Sequence, residues 1–264
     1  ADDQGRMRAD ALAGLLVRGS GPCIVCAQAG NVNTGSFDPI DAIAIAAKAR
    51  GAWLHVDGAF GFWACANPAR RSLVAGIGKA DSIATDAHKW LNVPYDSGIV
   101  LTAHPASHRR AMTVSAAYIV ENPVERDPHE FVPEESRRAR AVPVYAALRT
   151  LGRDGLSDLV DRCCRLAQRM ADRLRTHQAV RILNDVVLNQ VLVRVDRGSG
   201  DADALTRAVI ARVQEDGTCW LGGTTWHGMV AMRVSISNWS TTEDDIDRSA
   251  DAILRAITTS GVIS

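Results

Sequence analysis

The segment G-A-W-L-H-V-D-G-A-F-G, residues 51–61, decides how this chain is read. Trp53 to Val56 is a short, mainly apolar run that breaks at Asp57-Gly58-Ala59, the pattern of a buried strand ending in a polar turn. Upstream, Cys23 to Ala27 predicts a first strand, followed by the polar loop Gly30-Asn31-Val32-Asn33-Thr34-Gly35-Ser36. Asp38-Pro39 then opens a helix, with Asp38 as cap and Pro39 at its first position, and the helix runs to about Arg50. Downstream, Asp81 to Ala84 predicts a further strand that ends at Thr85-Asp86-Ala87-His88-Lys89, and Ser97 to Thr102 a fourth. Strands separated by helices predict a parallel sheet, and such sheets bind ligands beyond the carboxyl ends of their strands. Asn33, Asp57 and Lys89 each fall just beyond such an end.

Further out, Met7, Leu12, Leu15 and Leu16 recur at helical spacing within residues 6–18. Glu121 to Glu135 carries Pro123, Pro128 and Pro133 and predicts a long surface loop. Two helices follow, at about Arg138 to Leu151 and Leu156 to His177. Short strands near Val180 to Leu183, Val191 to Val195, Thr218 to Leu221 and Ala231 to Ser237 surround a helix from Ala202 to Glu215, and a last helix runs from about Thr242 to Thr258. The prediction is an α/β protein divided at residues 145–146, a parallel-sheet unit (1–145) followed by a smaller α+β unit (146–264).

Lys+Arg and Asp+Glu both number 30, so the chain has no net field for nucleic acid or an anionic membrane, and small molecules are the expected partners. No apolar stretch approaches the ~20 residues of a membrane span, and the first residues lack the pattern of a signal peptide, so a cytoplasmic protein is expected. The six cysteines show no framework spacing, and Cys23 and Cys26 are expected to be plain core residues of the first strand. The tryptophans at 220, 226 and 239 are expected in the core or between the units. His55, Asp57 and His88 lack a fourth ligand, so no metal site is expected, and Gly222-Gly223 is a turn rather than a dinucleotide fingerprint.

An amine nucleophile can come only from Lys48, Lys79 or Lys89, because every other basic residue is arginine. A pyridoxal phosphate site needs a lysine for the aldehyde, a carboxylate facing the ring nitrogen, donors for the phosphate and room for a flat ring. Lys89 and Asp57 at successive strand ends meet the first two needs, and Ala59 leaves the room. His88 and the Asn33-Thr34-Gly35-Ser36 loop offer donors.

The segments G-N-V-N-T-G-S-F-D (30–38), H-V-D-G-A-F-G (55–61) and D-A-H-K-W-L-N-V-P-Y-D-S-G (86–98) resemble the group II pyridoxal-phosphate decarboxylases, the family of glutamate and aromatic-amino-acid decarboxylases. The likeness continues through S-R-R-A-R (136–140) and L-G-R-D-G (151–155). It implies a fold-type-I architecture, a homodimer with the site at the subunit interface, and α-decarboxylation of an L-amino acid. Lys89 would form the Schiff base, Asp57 hold the ring nitrogen, Ala59 lie near the ring, and His88 stand near the phosphate or ring. Asn33 or Thr34 would sit beside cofactor and substrate, and Arg137 would face the substrate carboxylate or nearby cofactor groups. Asp86 stands where relatives often place a neutral phosphate donor. Family members are nearly twice as long, which places the phosphate loop and the ring-stacking residue in a preceding part and predicts weak cofactor binding by these residues alone. The aromatic-specific relatives protonate the product carbanion with a loop tyrosine; Glu121 to Glu135 has His129 and Phe131 but no tyrosine, and Tyr118 is the nearest candidate. An aldehyde-forming or transaminating enzyme, or a non-catalytic subunit contributing half a site, are the alternative readings.

Overall fold

A computed structural model describes residues 1–114, 116 and 127–260. Tyr118 and the first part of the proline-bearing loop lie outside the described residues. The elements are α1 (Ala9–Arg18), β1 (Ile24–Gln28), α2 (Ile40–Arg50), β2 (Trp53–Asp57), β3 (Ser82–Asp86), α3 (Ala87–Trp90), β4 (Gly98–Thr102), α4 (Pro105–Met112), α5 (Ala141–Arg175), β5 (Val180–Ile182), β6 (Gln190–Val195), α6 (Ala202–Asp216), β7 (Gly222–Trp226), β8 (Met229–Ser235) and α7 (Glu243–Thr259).

The first sheet has the order β1-β2-β3-β4. β1 and β2 pair in parallel from Ile24↔Trp53 to Gln28↔Asp57, and β2 and β3 from His55↔Ser82 to Asp57↔Ala84. β4 departs from the parallel expectation, running antiparallel to β3 from Ser82↔Thr102 to Asp86↔Gly98. The turn after α3 is too short for a crossover helix, so the chain can only return beside the strand it left. Successive side chains alternate between faces. Val25, Ala27, Leu54, Val56 and Thr85 are buried, with Ile43, Ala44 and Ala47 of α2 packed on β1 and β2. The opposite face carries Ile24, Cys26, Trp53, His55, Asp57 and Val100 and is open: Ile24 is 68% and Val100 52% exposed. Cys26 therefore lies on a bare sheet face instead of in the core.

Asp38 is not the cap of α2. Its carboxylate is buried and accepts from the backbone N–H of Met7 (2.6 Å) and Gln28 (2.7 Å), tying the N-terminal segment to the end of β1. The loop after β1 and the turn after β2 interlock through glycines. Gly61 N–H donates to Ala29 O at 2.9 Å, and a Cβ on Gly30, whose φ is +87°, would lie 2.6 Å from Gly61 N. Gly30→Ala combines overpacking with left-handed strain, so a loss of roughly 2–4 kcal/mol is expected, read as a lower midpoint in urea unfolding with unchanged slope.

The second sheet is antiparallel, ordered β5-β6-β8-β7, with β6 almost wholly buried. α5 comprises two helical segments, as expected, and the segment after Gly152 packs along the sheet. The two helices expected here join at Gly152, whose φ of 62° and ψ of −169° break the helical course, and the expected division at 145–146 falls inside α5. Desolvation pushes the buried thiols of Cys163 and Cys164 on α5 up to about 11 and about 12. The strand expected at Thr218 to Leu221 forms instead at Gly222–Trp226, where it pairs with β8. Trp220 and Trp239 are 77% and 64% exposed, which removes them from the core. Thr242 and Asp245 close a reciprocal capping box at the start of α7.

Asp203 binds β6 and β8 to the start of α6, accepting from the Arg194 guanidinium and from Val230 N–H at 3.0 Å. The Arg194 hydrogen bond, then the Val230 N–H, hold this carboxyl below its ordinary range. A depressed folded value means that the stabilisation is complete above the unfolded value of about 3.9 and is lost as pH falls through the folded one. Asp203→Asn is expected to flatten the fall of stability below about pH 4, measured by denaturant midpoints across the acid range.

Polar contacts join the two sheet-bearing units. Asn67 Nδ2 donates to Ser157 O (3.2 Å), Arg70 pairs with Asp161 (3.0 Å), and Asn184 Nδ2 donates to Thr34 O (2.8 Å).

Candidate active site

β2 and β3 end side by side, and two bonds lock these ends: Gly58 N–H donates to Ala84 O (2.8 Å), and Thr85 Oγ1 donates to Gly58 O (3.0 Å). Position 58 has no room for a side chain, since a Cβ there would stand 2.9 Å from Phe62 Cβ. Asp57 is exposed at the end of β2, and one carboxylate oxygen accepts from Ala59 N–H at 3.0 Å. The other has no protein partner among the described residues. Half-buried Ala59 follows it, so the space beside the carboxylate is bounded by small residues.

β3 continues directly into the single turn α3, which carries His88 and Lys89. Ala87 N–H donates to Ser97 O (2.9 Å), fastening this turn to the strand that returns. Lys89 Nζ lies 2.7 Å from Asp86 Oδ2 and 4.2 Å from the centroid of the Phe60 ring, so the ammonium is held by a carboxylate and an aromatic face. The Asp86 carbonyl accepts from Trp63 Nε1 at 3.2 Å. His88 Nδ1 accepts from Ser97 N–H at 3.0 Å, which leaves Nε2 to carry the ring proton, 3.5 Å from Asp86 Oδ2. The Tyr95 ring packs on the His88 ring, with centroids 4.1 Å apart and planes at 31°.

Of the other expected site residues, Asn33 is half-buried and its N–H donates to Asn31 Oδ1. Thr34 is fully buried, its hydroxyl engaged with Ser36 Oγ (2.9 Å) and Gln4 O (2.8 Å), so it braces the loop against the N-terminal segment. Arg137 donates to Glu134 O at 2.7 Å, and its guanidinium forms no ion pair among the described residues. Arg138 and Arg140 instead grip Asp96 and the carbonyl of Tyr95, holding the turn that returns from Lys89. Phe60, Asn92, Tyr95 and this arginine pair fall within the quoted segments 55–61, 86–98 and 136–140, but no definite role for any of them was readable from the sequence. Two clefts lie in the second unit, one between α6 and β7 and one beneath Trp220. The Lys89 site is an open sheet face.

The structure thus places an amine and a carboxylate at adjacent strand ends of an α/β sheet. The chain belongs to the pyridoxal-dependent decarboxylase family, whose conserved domain matches residues 1–196. L-2,4-Diaminobutyrate decarboxylase of Rhizobium meliloti (strain 1021) is 31% identical over 262 residues, covering 96% of this chain and 53% of that protein. Histidine decarboxylase of Drosophila melanogaster is 30% identical over 252 residues, 93% of this chain and 29% of its own. Among solved structures, mouse CSAD superposes with a TM-score of 0.89 at 23% identity, covering 97% of this chain and 57% of that one. Rhodiola rosea 4-hydroxyphenylacetaldehyde synthase gives 0.85 at 24%, covering 99% and 55%. The chain thus spans about half the length of such relatives, and the structural likeness at these identities establishes the shared fold.

Proposed function

We propose that the protein containing this chain decarboxylates an L-amino acid with pyridoxal phosphate held on Lys89. The observation that supports this reading is the placement of Lys89 and Asp57 near neighbouring strand ends that are locked together through Gly58 and Thr85. The donor set suits the cofactor at two points: an amine for its aldehyde and an unpaired carboxylate oxygen for its ring nitrogen. When bound, pyridoxal phosphate supplies the electron sink for a carbanion at the substrate's α-carbon.

The chain's own residues hold and orient. Asp57 would hold the protonated ring nitrogen, and Ala59 would leave clearance for the ring. His88, with Nε2–H free to donate, would stand near the cofactor, and Asp86, already paired with the Lys89 amine, would serve as its counter-ion rather than as a phosphate ligand. Arg137, free of ion pairs among the described residues, is the guanidinium available for a substrate carboxylate. Asn33 is the available side-chain amide of its loop, whereas Thr34 contributes through the loop's shape. The open sheet face fits a site completed by further chain and by a second subunit in a homodimer. Free cysteines at all six positions fit a reducing cytoplasm, and no described helix is long and apolar enough to cross a membrane.

The test is product analysis with the full-length protein. Incubation with a panel of L-amino acids is expected to release carbon dioxide and the matching amine in equal amounts. An aldehyde and ammonia released with the carbon dioxide while oxygen is consumed, or a keto acid without carbon dioxide, would put one of the alternative reactions in place of simple decarboxylation.

A further inference from the structure

We propose that Asn92 is a positioning residue that ties the Lys89 turn to the second unit, so that the seating of that unit sets where the lysine amine stands. The inference rests on Lys89 being the cofactor lysine. α3 is a single turn whose last carbonyls are thinly satisfied by the backbone: Lys89 O receives the N–H of Leu91 and, at a long 3.4 Å, that of Asn92. Asn92 supplies further donors through its side chain. Its backbone takes the left-handed region at φ 53°, which asparagine tolerates better than most residues. Its Nδ2 then folds back on Trp90 O (2.8 Å) and Lys89 O (3.2 Å). The same amide donates to Ser237 O at 2.8 Å, and its Oδ1 accepts from Trp239 N–H at 3.3 Å. One side chain thus binds the lysine turn to a strand end 145 residues away.

The far end of this tie is itself fixed. Ile236 and Asn189 exchange hydrogen bonds, Ile236 N–H to Asn189 O and Asn189 Nδ2 to Ile236 O, both at 3.0 Å. Trp239 O accepts from Arg162 on α5 at 2.7 Å. Residues 236–239 are therefore rigid with β6 and α5, and a shift of the second unit reaches the Lys89 carbonyl through a single amide. A backbone-only role would need just the left-handed turn, which glycine provides equally well. The side-chain role needs the two donors as well.

The experiment uses the full-length holoprotein with Asn92→Gly, which keeps the turn, and Asn92→Asp, which keeps size and turn but cannot donate. Both are expected to release pyridoxal phosphate roughly tenfold faster, with weaker visible dichroism of the bound cofactor. Deuterium exchange should quicken in both variants at residues 87–92 and at 236–239 together. An Asn92→Gly protein that matches wild type in release and exchange would reduce Asn92 to a turn former and end the proposal. If neither variant folds, exchange in wild type decides: cofactor loading should slow the Trp239 amide along with residues 87–92, and an unchanged Trp239 rate overturns the tie. Borohydride labelling of wild type keeps the two readings apart. A label away from Lys89 sinks the functional reading, whereas a label on Lys89 with an indifferent Asn92→Gly sinks this one alone.

Discussion

Lys89→Ala is expected to abolish covalent capture of pyridoxal phosphate by the full-length protein. Borohydride reduction of the wild type should leave one pyridoxyl group on the peptide containing Lys89, and none on the variant. The competing amines are placed wrongly. Lys48 is exposed in the last turn of α2, and Lys79 is paired with Asp41 at 2.6 Å just before β3 begins. Both therefore stand where the chain enters β2 and β3, whereas ligands of such sheets gather where strands leave. Lys89 stands one turn past the end of β3, with Asp86 and the Phe60 ring holding its amine within reach of the Asp57 side. A pyridoxyl label on Lys48 or Lys79, or persistent labelling of Lys89→Ala, would overthrow the assignment.

The positions of Lys89 and Asp57 near strand ends were legible in the sequence because Asp57 closes one short apolar run and Lys89 follows another, and the end of such a run is also the mouth of a parallel sheet. That inference needs only strand positions, not distances. Asp38 misled for the opposite reason: it stands before a proline like a helix cap, yet its acceptors serve Met7 and Gln28, and Met7 is 31 residues away. No local pattern encodes a partner that distant. The direction of β4 was equally hidden, since Ser97 to Thr102 looks the same whether it runs with β3 or against it, and only the tight return after α3 decides. Cys26 looked buried because an apolar run does not say whether its second face is covered. Among the arginines of residues 136–140 the sequence offered three guanidiniums in one run; folding spends Arg138 and Arg140 on Asp96 and leaves Arg137 unpaired among the described residues.

Asp57→Asn is expected to leave cofactor attachment intact while lowering turnover by roughly two to three orders of magnitude, the scale seen when one preorganised electrostatic contact is removed from a reaction centre. The substitution is nearly isosteric. Its amide oxygen can still accept from Ala59 N–H, so the turn at the end of β2 persists, and the locks through Gly58 and Thr85 do not involve the side chain. What disappears is the negative charge of the carboxylate oxygen that has no protein partner among the described residues. A neutral amide cannot hold a proton on the ring nitrogen, so the ring draws electrons from the substrate carbanion less strongly. Borohydride labelling of Lys89 should therefore be unchanged while kcat falls, and kcat/KM should fall in proportion because the interaction matters in the transition state more than in binding. Asp57→Glu restores the charge but not its place, and with one more methylene beside Ala59 it is expected to recover only part of the activity. If Asp57→Asn retains turnover within about tenfold of wild type, Asp57 does not face the ring nitrogen, and the anionic partner of the site must be sought elsewhere.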